Sequence, residues 1–342
     1  MKKPGFEELA KAAGVSMATV DRALNGRQKV RADTVAHIAE VARRIGHPAA
    51  WRFAGAEGAR PVVRFGVVLH KQGQGFYKAF ADELHRAVAA VQGVEGRLVL
   101  DFSVSQAPGE MAAKLTEVGA RCDVVAATAV NHPEVTAAVE KLRARGIAVF
   151  ALLSEFAPGL RAGYLGLDNT KCGRTAAWML ATHVRGPGTV AIFVGGHRWH
   201  GHELRDQGCR AWLRDHAPGL KVPETLVNLE TRALTYEAVK GLLTRYPDLR
   251  GIYVAGGGME GAVAALRDSG AGGRVALVVS ALTPESRKGL QEGQVTLVID
   301  TPLETLCREL MERMAAVALG RPAPAGGDVL FLPPAYTLPE TF

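Results

Sequence analysis

Apolar positions recur at helical spacing from the start of the chain. Phe6, Leu9, Ala10 and Ala13 fall at i, i+3, i+4 and i+7, one buried stripe of a short helix that Gly14 ends. Ser16 is a good N-cap for a second helix with Val20, Ala23 and Leu24 inward, stopped by Asn25 and Gly26. A third helix is predicted over 32–45, with Val35, Ile38, Val41, Ala42 and Ile45 inward and Gly46 at its C-terminal cap. Three short helices joined by tight turns make one small core, and the second presents Met17, Ala18, Asp21 and Arg22 outward.

Beyond Val62 the period changes. Apolar or β-branched runs at 64–69, 98–102, 124–127 and 148–152 alternate with helical stretches at 76–91, 111–118 and 135–145. This predicts βα repeats on a parallel, doubly wound sheet. After 165–167 the alternation restarts, with strands near 189–194, 226–228, 251–254, 275–279 and 295–299, so two similar lobes are expected. Ligands of such sheets bind beyond the carboxyl ends of the strands, which makes a cleft between two facing lobes the expected site. The fold class is therefore an all-α helix-turn-helix head on an α/β body of two doubly wound parallel-sheet lobes.

Charge sharpens this division. Residues 1–60 hold eleven Lys/Arg against six Asp/Glu, so +5 of the total +7 lies there. A basic head on a near-neutral body suits a polyanionic partner, because phosphate neutralisation supplies most non-specific DNA affinity. There is no run of 18 uncharged apolar residues and no signal-peptide stretch, so no membrane partner and a cytoplasmic location are expected. Cys122, Cys172, Cys209 and Cys307 are scattered without a CxxC pair, which favours buried thiols over a zinc ribbon or a disulfide framework.

Residues 9–26, LAKAAGVSMATVDRALNG, resemble the head of the LacI family of regulators, whose pattern reads roughly VAxxAGVSxxTVSRVLN. The resemblance implies that Ser16 and Thr19 hold phosphates of double-stranded operator DNA, that Met17, Ala18 and Arg22 meet base edges, and that Asn25 reaches the backbone; Arg27 is counted with them. Arg22 is the strongest reader by chemistry, since a guanidinium can bond guanine O6 and N7 together. Asp21 stands where the family usually has Ser. The linker at 47–61 lacks the family's YxPNxxAxxL, leaving Phe53 or Trp51 as a minor-groove wedge, or a plain tether.

The body resembles the periplasmic-binding-protein-like (type I) sensor of the same family, most clearly at 164–169, 173–176, 202–208 and 300–302. The resemblance puts Phe76 and Tyr77 at the aromatic that stacks on a sugar, Ser154 on an inter-strand loop, Asp168 at the crossover, Arg205 at the arginine position and Asp300 pointing inward. His202 and Ser280 complete the expected effector contacts. Leu153 replaces a common Asp, and Ala255-Gly256 a common Asn-Asp, so an ordinary hexose is doubtful and a polyol, modified sugar or other small polar compound stays open. The expected domains are 1–46, the linker 47–61, and a body with one lobe about 62–165 plus 301–324 and the other about 166–300 plus 325–342.

Two motifs point elsewhere. GGGMEG at 256–261 satisfies GxGxxG after a strand, but the next strand ends at Ser280 where a dinucleotide site wants an acid. His197, His200, His202 and Glu203 suggest zinc, but Asp206 stands where HExxH needs its second His. No metal, cofactor or catalytic set is expected. The reading is an allosteric repressor, homodimeric with a tetramer left open since 325–342 shows no heptads; the rivals are a nucleotide-binding α/β enzyme with a DNA-binding head and an architectural DNA binder.

Overall fold

The computed structural model describes residues 5–25, 30–47, 49–50, 60–184, 186–322 and 327–341. Arg27, Trp51 and Phe53 lie outside the described residues, as does the side chain of Asn25.

The head consists of α1 (Phe6–Ala12), α2 (Met17–Asn25) and α3 (Ala32–Arg44). Leu9, Val20, Ile38 and Val41 are fully buried at its centre, with Ala10, Ala13, Ala39 and Ala42 filling the gaps. Burying each large aliphatic stabilises by roughly 1.5–3 kcal/mol, which must offset the ordering of three short helices that are marginal alone. Gly14 turns the chain between α1 and α2 at φ +65°, a left-handed conformation that favours glycine.

The first half of the body runs β1 (Val62–His70), α4 (Gly75–Ala90), β2 (Glu95–Ser103), α5 (Pro108–Gly119), β3 (Val124–Ala127), α6 (Pro133–Ala144), β4 (Ala148–Leu152) and β5 (Gly163–Leu167). The second half runs α7 (Asn169–His183), β6 (Gly188–Val194), α8 (His200–His216), β7 (Leu220–Lys221), β8 (Leu226–Val227), α9 (Arg232–Arg245), β9 (Leu249–Val254), α10 (Met259–Asp268), β10 (Ala276–Ser280), α11 (Pro284–Gln291) and β11 (Leu297–Asp300). The chain then returns through α12 (Leu303–Ala318), β12 (Val329–Leu332) and β13 (Ala335–Thr337).

One sheet has the order β12-β5-β4-β3-β1-β2 and is parallel throughout; the other has the order β13-β11-β10-β9-β6-β7, with β8 also on β6 and only β13 antiparallel. β3 and β6 are buried along their whole length, as expected of parallel strands covered on both faces. The C-terminal segment departs from expectation. β12 joins the first sheet, where Leu330 pairs with Leu165, and only β13 reaches the second, so 325–342 does not belong to the second lobe alone. The apolar run Val329–Leu332 extends the edge left by β5, and Pro333-Pro334 then carries the chain across.

A continuous apolar cluster links the halves, from Val67 and Phe80 through Leu306 of α12 and Leu180 of α7 to Ile192 and Ile299. α7 and α8 approach with backbone nearly touching backbone. A Cβ added to Gly173 would lie 2.0 Å from the carbonyl oxygen of Arg205, and one on Gly208 would lie 2.4 Å from that of Thr170. Only glycine permits this approach, and it fixes where the side chains of α8 project. No helix among the described residues is long and apolar enough to cross a membrane.

Candidate functional site

On the head, the start of α2 forms an exposed polar face. Ser16 Oγ accepts the N–H of Thr19 at 3.1 Å and shares a 2.8 Å bond with its hydroxyl, so the cap predicted from sequence is built from two of the expected phosphate contacts. Met17 is 56% exposed, and Ala18 and Arg22 are exposed as well. Arg22 Nε donates to the carbonyl of Ala18, one turn earlier, at 3.0 Å, which steers the guanidinium along the helix.

In the body, the carboxyl ends of both sheets converge on a cavity with an empty volume of about 820 Å³, counting the space open at its mouth. Phe76, Tyr77 and Ser154 line it from the first lobe, and His202, Arg205 and Ser280 from the second. Ser154 Oγ accepts the N–H of Gly201 at 3.1 Å, joining the lobes at the start of α8. Arg205 is fixed by three bonds: Nε donates to Asn169 Oδ1 at 2.7 Å, and one terminal nitrogen donates to the carbonyl of Ala255 at 2.7 Å and to Ser280 Oγ at 3.1 Å.

Two expected contacts do not line the cavity. Asp168 caps α7, accepting the N–H of Lys171 at 3.0 Å, and borders a separate groove with Trp178 and Phe331. Its carboxylate is committed to the helix terminus by its position immediately before α7. Asp300 is flanked by Ile299 and Thr301, which both line the cavity. Side chains alternate across a strand, so Asp300 is turned away, and burial pushes its carboxyl above the usual range.

The structure adds residues that were not among the expected effector contacts. Thr128 and Asn169 follow strands and line the cavity, as do Trp199 and Glu230, which are 3% and 7% exposed. Trp199 stood within the histidine-rich stretch read for zinc, and Glu230 lies in the irregular segment after β8. No group of three His, Cys, Asp or Glu fit to hold a metal occurs among the described residues.

The GxGxxG glycines also acquire a reason. A Cβ on Gly256 would meet His202 Cε1 at 2.5 Å, and one on Gly257 would meet Glu230 Cβ at 3.0 Å. The space over this loop, which a pyrophosphate would need, holds His202 and Glu230 instead. Burial, reinforced by Arg205 and His70, holds His202 down to about 3, so its imidazole is neutral. His70 is likewise lowered to about 4, chiefly by burial and then by Lys71. Burial raises the carboxyl of Glu230, against the pull of the Gly257 N–H and of Lys71.

A two-lobed body with a cleft between the strand ends of its sheets, carrying a three-helix head with an exposed helix face, defines a DNA-binding sensor. Residues 65–322 match the profile of the periplasmic binding protein domain, and the chain belongs to that family; residues 6–48 match the bacterial regulatory proteins of the lacI family, which makes the whole a LacI-type regulator. No curated protein matches the chain. Among solved structures, an ABC transporter solute binding protein from Agrobacterium vitis bound with α-D-tagatopyranose is 18% identical, with a TM-score of 0.74 over 81% of this chain and 95% of that one. One from Actinobacillus succinogenes with bound D-allose is 18% identical, with a TM-score of 0.73 over 81% and 98%. Another from Agrobacterium vitis, with bound D-fucose, is 12% identical, with a TM-score of 0.75 over 81% and 96%. At these identities the likeness is one of fold.

Proposed function

We propose that this protein is a non-catalytic transcriptional repressor that binds operator DNA as a homodimer through α2 and releases it in response to a small sugar-like or polyol effector. The observation that carries the reading is the cleft: aromatic rings of Phe76 and Trp199 beside Arg205, Asn169 and Ser154, enclosed between strand ends of both lobes. Aromatic faces with convergent hydrogen-bonding groups suit a polyhydroxylated ring. The solute binding proteins of the same fold, crystallised with monosaccharides, support the same class.

An effector that contacts both lobes binds the closed arrangement better than an open one, and that difference in affinity is what shifts the regulator between states. In this reading Ser16, Met17, Ala18, Thr19 and Arg22 contact DNA, with Asn25, Arg27 and Phe53 as further expected contacts, and 47–61 connects head to body. Phe76, Tyr77, Ser154, His202, Arg205 and Ser280 contact the effector.

A thermal-shift panel of sugars, polyols, sugar acids and nucleotides tests the reading. A ligand at a hundred times its Kd stabilises by about 2.7 kcal/mol, a readily measured shift. The compound that raises the melting point is expected to release an operator fragment; stabilisation by dinucleotides alone would restore the enzyme alternative.

A further inference from the structure

Glu230 is held in a conformation that its own backbone disfavours. Leu229 and Glu230 take φ of +50° and +54°, the left-handed region that non-glycine residues rarely enter. Three bonds keep them there: Lys71 Nζ donates to the carbonyl of Leu229, Gln74 Nε2 to that of Glu230 at 2.8 Å, and the N–H of Glu230 to Asn228 Oδ1 at 2.8 Å. The result is a carboxylate set against the cavity.

That carboxylate is incompletely satisfied. One oxygen accepts the N–H of Gly257 at 3.1 Å, while Oε2 has no hydrogen-bond partner. Two imidazole nitrogens lie 3.8 Å from its oxygens, beyond hydrogen-bond reach. His70 Nε2, the nitrogen nearest Oε2, is held off at 3.8 Å and is itself without a hydrogen-bond partner. Glu260 brings a second carboxylate to the lining, near enough to oppose the ionisation of Glu230. Arg205, the lining's guanidinium, is already bonded to Asn169, Ala255 and Ser280, and Lys71 is bonded to Leu229. Trp199, whose ring packs against His70 and His202, carries at Nε1 a buried donor without an acceptor.

An ammonium group supplies several donors and a positive charge beside Glu230, in a lining that also holds Glu260; a hydroxyl or ring oxygen supplies what Trp199 lacks. We infer that the effector is an amino sugar, its amine bonded to Glu230 and facing Glu260 and an oxygen accepting from Trp199. This inference rests on the carbohydrate reading of the cleft and narrows it. An anionic sugar would meet the same two carboxylates and is expected to bind more weakly.

Calorimetric titration of the full chain tests it with matched gluco, galacto and manno series, each as the 2-amino-2-deoxy sugar, the neutral sugar and the uronic acid. In the series that binds, the amine is expected to bind about tenfold more tightly than its neutral parent, the margin of a charged over a neutral hydrogen bond, and the acid most weakly. Glu230→Gln should reduce the amine-to-neutral ratio to about threefold or less, and Glu260→Gln should reduce it by a smaller factor; circular dichroism and melting of each variant establish that it is folded. Equal binding of amine and neutral sugar, tighter binding of the acid, or an undiminished amine preference in folded Glu230→Gln each overturns the inference while leaving the carbohydrate reading intact. Binding of a dinucleotide and of no carbohydrate overturns that reading and this inference with it.

Discussion

The two candidate sites of this protein are built in opposite ways. The DNA-facing residues sit within a few positions of one another on the exposed start of α2, where Met17 is 56% exposed. The effector-facing residues come from as far apart as Phe76 and Thr301, and several are nearly enclosed, Trp199 at 3% and Glu230 at 7%. A surface that meets a highly charged partner can leave its readers in water, because the partner brings the field with it. A cleft that recognises a small polar molecule must hold its groups in place beforehand, since an unordered side chain adds an entropic penalty at the moment of binding.

The contrast can be broken at its foundation. Gly208→Val places side-chain atoms where α7 and α8 leave no room, and the body is expected to lose more than about 3 kcal/mol or fail to fold, read as collapse of the main melting transition. A near-native melting point would show that the α7–α8 contact yields easily.

Arg205→Ala removes the most heavily bonded group of the cleft. Effector affinity should fall roughly tenfold to a hundredfold, with operator affinity in the absence of effector unchanged. A normal effector response in this variant would mean that the cleft is misassigned. Arg22→Ala should do the converse, erasing roughly tenfold to a hundredfold of operator discrimination while leaving melting and effector binding alone, because its side chain is exposed. Retained discrimination, measured on paired cognate and scrambled duplexes, would assign the reading to other residues.

Asp168→Ala distinguishes the cap from a ligand contact. It should cost about 1 kcal/mol of stability and leave effector affinity within error; a loss of affinity instead would return Asp168 to the cleft. The smallest effect concerns pH. The buried imidazole of His202, held to about 3, charges in the unfolded chain as pH falls through 6.5 but stays neutral in the folded one. Its contribution is therefore present at neutral pH and lost as pH falls below 6.5, so wild-type melting should decline from pH 7 to pH 5 more steeply than that of His202→Gln. Parallel curves for the two would show that the imidazole charges without penalty.

The head was legible because its information is local. The helical spacing of Leu9, Ala10 and Ala13 and of Ile38, Val41 and Ala42, the Ser16 cap and the Gly14 turn each depend on neighbours within one or two turns. The alternation of strands and helices in the body was legible for the same reason. The family resemblance pointed to Arg205 and Ser154, which line the cavity, but nothing pointed to Glu230, because the stretch around it has no period and its left-handed backbone is maintained by Lys71 and Gln74, about 156 residues away.

Asp300 and Asp168 show the boundary between the two kinds of knowledge. By itself the sequence determined that there would be an acid near each crossover, that α2 would be capped by Ser16, and that the body would be doubly wound, since each follows from residue type and short-range spacing. Which way Asp300 faces, that β12 returns to the first sheet, and that Gly256 makes room for His202 rather than for a phosphate were decided only in three dimensions. Strand alternation, sheet order and backbone approach join segments that are far apart in the chain, and no local pattern records which partner each will meet.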